Sequence, residues 1–65
     1  MKRNDLLRHL VRYGCRLKRE GHRHSIWTNP SNGETETIPR HTEIKDTLAR
    51  KICRSLSIPE IGRQC

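Results

Sequence analysis

The sequence predicts a small α+β fold in the order helix, three strands, helix, a three-stranded antiparallel sheet with two helices on one face. Three observations predict it. Apolar residues recur at helical spacing near both ends of the chain, at Leu6, Leu7, Leu10 and Val11 and again at Ile44, Leu48, Ile52 and Leu56. Between them lie three short runs of strand character separated by turn-forming residues. At 65 residues the chain is one domain, 1–65, near the lower limit for folding without a staple. Strands joined by short turns form an antiparallel meander, and two amphipathic helices covering one face leave the other open to solvent or a ligand.

The first helix is expected over about residues 4–13. Asn4 suits the N-cap, Asp5 suits the positive end of the helix dipole, and Gly14 suits the left-handed position just past the end. Residues 15–19, Cys15-Arg16-Leu17-Lys18-Arg19, alternate apolar and basic as a half-buried strand does. Glu20-Gly21 makes a turn, and residues 22–28 form the second strand. Asn29-Pro30-Ser31-Asn32-Gly33 is dense in turn residues and leads to a third strand over 34–38, ended by Pro39. The second helix is expected over 44–56, with Glu43 and Asp46 near its N-terminus and Arg50, Lys51 and Arg54 in its C-terminal half. Pro59 stops it, and 59–65 read as a loose tail.

With 31% hydrophobic residues, no Phe, and Trp27 and Tyr13 as the only aromatics, the core has few candidates. They are Leu6, Leu7, Leu10, Val11, Leu17, Ile26, Ile38, Leu48, Ile52 and Leu56. So small a core leaves little surplus stability, and a partner covering exposed surface adds to it by mass action.

The 14 Lys+Arg against 7 Asp+Glu give a net charge of +7, which favours a polyanion or an acidic protein as partner. Cys15, Cys53 and Cys65 form an odd set without a CxxC pair, so neither a disulfide framework nor a zinc knuckle is indicated. No apolar run has the length of a membrane span, and Met1-Lys2-Arg3-Asn4-Asp5 leads straight into the amphipathic pattern without a signal peptide. A reduced, cytoplasmic setting with no membrane partner is the expectation.

The densest chemistry lies in Gly21-His22-Arg23-His24-Ser25-Ile26-Trp27, with Pro39-Arg40-His41 as a second basic segment. RNA carries its own nucleophile, the 2′-hydroxyl beside each phosphate. A protein that cuts it must remove that proton, protonate the departing 5′-oxygen and stabilise charge on phosphorus. Histidine performs either transfer near neutral pH, and Arg or Lys neutralises the phosphate. His24 is the candidate general acid/base, with Lys18, Arg19, Arg23, Arg40 and His41 as candidate RNA contacts. The competing reading is a strand histidine that binds phosphate or fills a surface position.

His22 and His24, two apart, share a face if the strand is regular, but no third and fourth metal ligand accompany them. The acids are few and dispersed, against a carboxylate-bound metal, and Glu34 and Glu36 read as a solvated strand face. Neither metal nor small-molecule cofactor is expected. Trp27 is a candidate base-stacking residue or, equally, a core or partner-contact residue. If Ile26 faces the helices, strict alternation puts Trp27 on the open face and turns His24 inward. A bulge or an edge position would separate them.

Taken together, these residues resemble the HicA-type (YcfA-like) mRNA interferase toxins over nearly the whole chain. The resemblance rests on the short helix ending at Tyr13-Gly14, the basic strand, and the Gly21-to-Trp27 run followed by Thr28-Asn29-Pro30. Thr37-Ile38-Pro39-Arg40-His41, Glu43-Ile44-Lys45 and Leu48-Ala49-Arg50-Lys51-Ile52 complete it. It implies a double-stranded-RNA-binding-domain-like α-β-β-β-α fold, cleavage of mRNA without the ribosome, and neutralisation by a HicB-type antitoxin. His24 matches the position of that family's essential histidine, and His22 stands where a small residue is usual. The expected function is therefore the toxin of a type II toxin–antitoxin pair, an endoribonuclease that cleaves mRNA without a metal. The alternatives are a non-catalytic RNA-binding module of the same fold and a protein-interaction domain for an acidic partner.

Overall fold

A computed structural model of the chain describes residues 1–60. It shows α1 (Arg3–Arg12), β1 (Arg16–Glu20), β2 (His24–Asn29), β3 (Glu34–Pro39) and α2 (Asp46–Ser55), the order read from the sequence. The strands form one antiparallel sheet in the order β1-β2-β3. No helix of the described residues is long and apolar enough to cross a membrane. Of the expected tail, 61–65 lie outside the described residues. Pro59 accepts a hydrogen bond from His9 Nε2 at 2.7 Å, and Glu60 pairs with Arg54 at 2.9 Å.

The faces of β2 organise the molecule. Ser25, Trp27 and Asn29 point to the helices and are buried, while His24, Ile26 and Thr28 point the other way. This reverses the option in which Ile26 packs the core. Burying an indole removes about 150–250 Å² from water, and at about 25 cal/mol per Å² that outweighs burial of an isoleucine. Trp27 is 8% exposed, and Ile26, expected in the core, becomes a half-buried residue of the open face.

Residues directly opposite in an antiparallel pair share a face. Ile38 and Glu36, opposite Ser25 and Trp27, therefore lie on the helix side, where Ile38 is fully buried. Glu36 is not the solvated residue the sequence suggested. It is half-buried and pairs with Lys51 of α2 at 3.5 Å.

Between β1 and β2 the register slips. Leu17 lies opposite Trp27 and Arg19 opposite Ile26, so Lys18 is an extra residue in β1. Without that bulge, Leu17 and Glu20 would fall on opposite faces. With it, both lie on the helix side, and Arg16 and Arg19 both lie on the open face.

The core joins Leu6 and Leu10 of α1, Trp27, Ile38, and Ala49, Ile52 and Cys53 of α2, with Cys15, Ile44, Leu56 and Ile58 around them. Leu7 and Leu48 pack against it, partly buried. Besides Ile26, two more expected core residues are outside it: Val11 is 60% and Leu17 47% exposed, Leu17 because β1 is an edge strand exposed along its length. Burial pushes the Cys15 thiol above its ordinary value, and neighbouring Cys53 adds to the effect.

The helix ends show why the boundaries shift. α1 begins at Arg3 behind Lys2, not at an Asn4 cap, because residues 1–3 pair with residues 42–44. Arg3 N–H donates to the Thr42 carbonyl and Ile44 N–H to the Met1 carbonyl, both at 2.8 Å. Ile44, expected inside α2, is consequently a buried residue of this bridge, two positions before the helix.

At the other ends, both helices close with the same double hydrogen bond. Gly14 N–H donates to the Val11 carbonyl and Cys15 N–H to the Leu10 carbonyl, with Gly14 at φ +89°. Ser57 N–H donates to the Arg54 carbonyl and Ile58 N–H to the Cys53 carbonyl, with Ser57 at φ +58°. A serine in that left-handed region is strained where glycine is not.

The 29–33 turn completes the assembly. The buried Asn29 donates through Nδ2 to the Leu56 carbonyl at 2.8 Å, and Asn32 Nδ2 reaches the same oxygen at 3.3 Å. Asn29 Oδ1 also accepts from Ser31 N–H, so one side chain forms the turn and satisfies the end of α2.

Two stability outcomes are expected. Ser57→Gly relieves the strain at the end of α2 and stabilises the fold by about 0.5–1 kcal/mol, read as a rise in thermal midpoint. Asn29→Ala removes the principal partner of a buried carbonyl and costs about 1–3 kcal/mol. Denaturant titration of the three proteins checks both signs.

Candidate functional site

The site grows out of the loop between β1 and β2. Gly21 N–H donates to the His24 carbonyl at 2.8 Å and closes a loop of residues 21–23. A Cβ at Gly21 would stand 2.9 Å from that carbonyl oxygen, so the close approach requires glycine. The end of β3 holds the loop from the other side. Arg40 N–H donates to the Arg23 carbonyl at 3.3 Å, and Arg40 Nη1 donates to the Gly21 carbonyl at 3.1 Å.

On the open face this loop borders a concavity of about 720 Å³. Arg19, His22, Arg23 and His24 line it together with Gly21, and Ile26 and Thr37, neighbours in the register, give it an apolar and hydroxyl-bearing floor. His24 is the first residue of β2, opposite Pro39 of β3, and its exposed side chain lies on the open face. Two imidazoles and two guanidiniums thus share one hollow. Groups of this kind are chemically able to bind a phosphate and to move protons beside it.

The other sequence candidates are placed differently. His22 belongs to the loop and not to the strand, yet it lines the same hollow as His24. Lys18 is the exposed bulge residue of the edge strand, and His41 is exposed beyond β3; neither lines the concavity. Arg40 is committed to the framework, with Nη1 2.6 Å from Glu20 Oε2. Trp27 is the clear correction. It is buried against the helices and offers no face to a base, because the core needs its area. Among the described residues, no three His, Cys, Asp or Glu side chains gather as metal ligands.

Sequence reasoning missed the support on the reverse side of the sheet. Ser25, 1% exposed, accepts from Arg3 Nη2 at 3.0 Å and donates to Glu20 Oε2 at 3.2 Å. Arg3 Nε donates to the Pro39 carbonyl at 2.9 Å. The only trace of this in the sequence is a serine in a strand, two residues from a tryptophan.

The comparison with protein families decides the kinship. A family model described as HicA toxin of bacterial toxin–antitoxin matches residues 3–58. The chain belongs to the HicA toxin family. The match takes in both helices and all three strands. Neither a curated protein nor a solved structure matches the chain. As a HicA-family member the chain has the role of a toxin, paired with an antitoxin.

The glycine that shapes this site gives a direct test. Gly21→Ala places a methyl group against the His24 carbonyl, and the loop must shift. The thermal midpoint should fall by about 4–8 °C, roughly 1 kcal/mol for a domain of this size, with displaced amide resonances at Arg23 and His24. An unshifted spectrum and midpoint would show that the close approach does not constrain the loop.

Proposed function

We propose that this HicA-family toxin is a metal-independent endoribonuclease that cleaves mRNA, with His24 as general acid/base. The observation that carries the reading is the convergence of His22, His24, Arg19 and Arg23 on one hollow of the open sheet face. The 2′-oxygen attacks the adjacent phosphorus, the bond from phosphorus to the 5′-oxygen breaks, and a 2′,3′-cyclic phosphate and a free 5′-hydroxyl result. His24 takes the 2′ proton or supplies the proton to the 5′-oxygen, and solvent water makes the other transfer. Arg19 and Arg23 neutralise the phosphate as charge builds on it.

The remaining candidates act at longer range. Lys18 and His41 extend the positive surface along which the RNA backbone runs, and Arg40 contributes charge while bracing the loop. Ile26 and Thr37 replace Trp27 as the surface under a nucleotide. The cognate antitoxin is of HicB type and silences the toxin by covering His24 or the basic face around it. The protein acts in the cytoplasm, where mRNA and antitoxin meet.

The test is incubation of the purified protein with a long single-stranded RNA in EDTA, beside His24→Ala. Wild type should cleave, and His24→Ala should lose at least about 100-fold in rate, the range for removing a general acid/base. The variant should keep its fold and its salt-dependent RNA binding. Cleavage by a folded His24→Ala protein at the wild-type rate would remove His24 from the chemistry. Intact RNA with both proteins, each binding it, would replace the nuclease by an RNA-binding module.

A further inference from the structure

We infer that Glu20, Ser25 and Arg3 are positioning residues for His24, acting through a hydrogen-bonded chain on the helix-covered face of the sheet. The inference rests on the ribonuclease reading above and extends it to residues that never meet the substrate.

The chain of contacts surrounds the backbone of His24. Ser25 follows it directly, and its buried hydroxyl is engaged on both sides, accepting from Arg3 and donating to Glu20. Pro39 is the register partner of His24, and its carbonyl accepts from Arg3 Nε at 2.9 Å. Glu20 holds Arg40 at 2.6 Å, and Arg40 in turn holds the carbonyls of Gly21 and Arg23. Side chains from α1 and β1 thus meet at Ser25, and Arg40, just past β3, links Glu20 to the 21–23 loop. Several of these bonds have an ionised partner, which makes them directional and strong for their number.

The face on which Glu20 lies decides its role. It is the register partner of Ser25, so its side chain projects to the helix side, away from the open face that carries His24. A carboxylate there does not reach a 2′-hydroxyl bound in the hollow and is not the missing second base. The Glu20–Arg40 pair is also about half exposed, with side chains 45% and 46% accessible. Exposed pairs contribute little to global stability. A residue of this kind sets the orientation of a loop without being needed for the fold. The pair stands in this place because Lys18 is bulged; in an unbulged β1, Glu20 would project to the open face.

The experiment compares Glu20→Gln and Ser25→Ala with wild type, and with Arg54→Gln as a control. The control cuts another exposed ion pair, to Glu60 past the end of α2. Steady-state cleavage of RNA in EDTA gives kcat and KM, and amide hydrogen exchange at Gly21 reports the loop. In both test variants kcat should fall about 10- to 100-fold, the scale of a misplacement of about 1 Å, with KM within about twofold. Gly21 exchange should accelerate at least about tenfold, while Arg54→Gln leaves all three readouts at wild-type values.

Wild-type kcat and exchange in Glu20→Gln and Ser25→Ala would overturn the inference. So would an equal loss of kcat in Arg54→Gln, which would mark a general stability effect. Should wild type itself leave RNA intact, the ribonuclease reading fails, and the exchange data still decide the positioning. Faster exchange in the test variants alone upholds the bracing of the loop, and unchanged exchange refutes it.

Discussion

Every other feature of this protein depends on which way β2 turns its side chains. A 65-residue chain with one tryptophan and no phenylalanine has a single large apolar side chain to invest, and the two-residue repeat of a strand forces an all-or-none choice. Turning Trp27 inward sends Ser25 and Asn29 with it and presents His24, Ile26 and Thr28 to solvent. The opposite choice would bury an imidazole and expose the indole. Trp27 is not perfectly served, since its buried Nε1 has no partner among the described residues. An unmet indole N–H costs about 1–3 kcal/mol, less than the roughly 4–6 kcal/mol that burying the ring provides at about 25 cal/mol per Å². The exposed histidine is therefore a consequence of core packing.

The polar residues carried inward by that choice are each used. Asn29 binds the carbonyl at the end of α2, and Ser25 joins the α1 arginine to the β1 carboxylate. A strand with two of its three inward positions polar would be a liability in a small core. Here each inward polar side chain meets a backbone or charged partner from a different element, so the sheet is fastened to both helices at points where hydrophobic contact is thin. The Lys18 bulge serves the same arrangement on β1. It lets Leu17 and Glu20 face the helices while Arg16 and Arg19 share the open face with His24.

This economy fits a toxin of a toxin–antitoxin pair. The helix-covered side holds the buried core, and the open side carries the candidate histidines and arginines on the surface of one sheet. Exposed Val11, Tyr13 and Leu17 at the α1–β1 end are apolar area that so small a molecule leaves uncovered. With a net charge of +7, its surface is arranged for something negatively charged.

The sequence by itself determined the element order and the ends of α1 and β3, and it gathered the candidate histidines and arginines into one stretch. Those are local properties: helical spacing at Leu6 and Leu10, a glycine at 14, a proline at 39, and two histidines around an arginine each state their meaning over a few residues. It also carried the family likeness, in the run from Gly21 through His24 to Asn29-Pro30. Tertiary structure alone decided which face His24 occupies, that Trp27 is core and Ile26 is floor, that Ile44 precedes its helix, and that Arg40 braces where it was expected to bind. Each of these turns on a non-local partner: Thr42 for the start of α1, Leu56 for Asn29, Glu20 for Arg40. A period-two pattern names two faces without saying which one the helices cover, and a one-residue bulge that reverses the faces leaves no mark in composition.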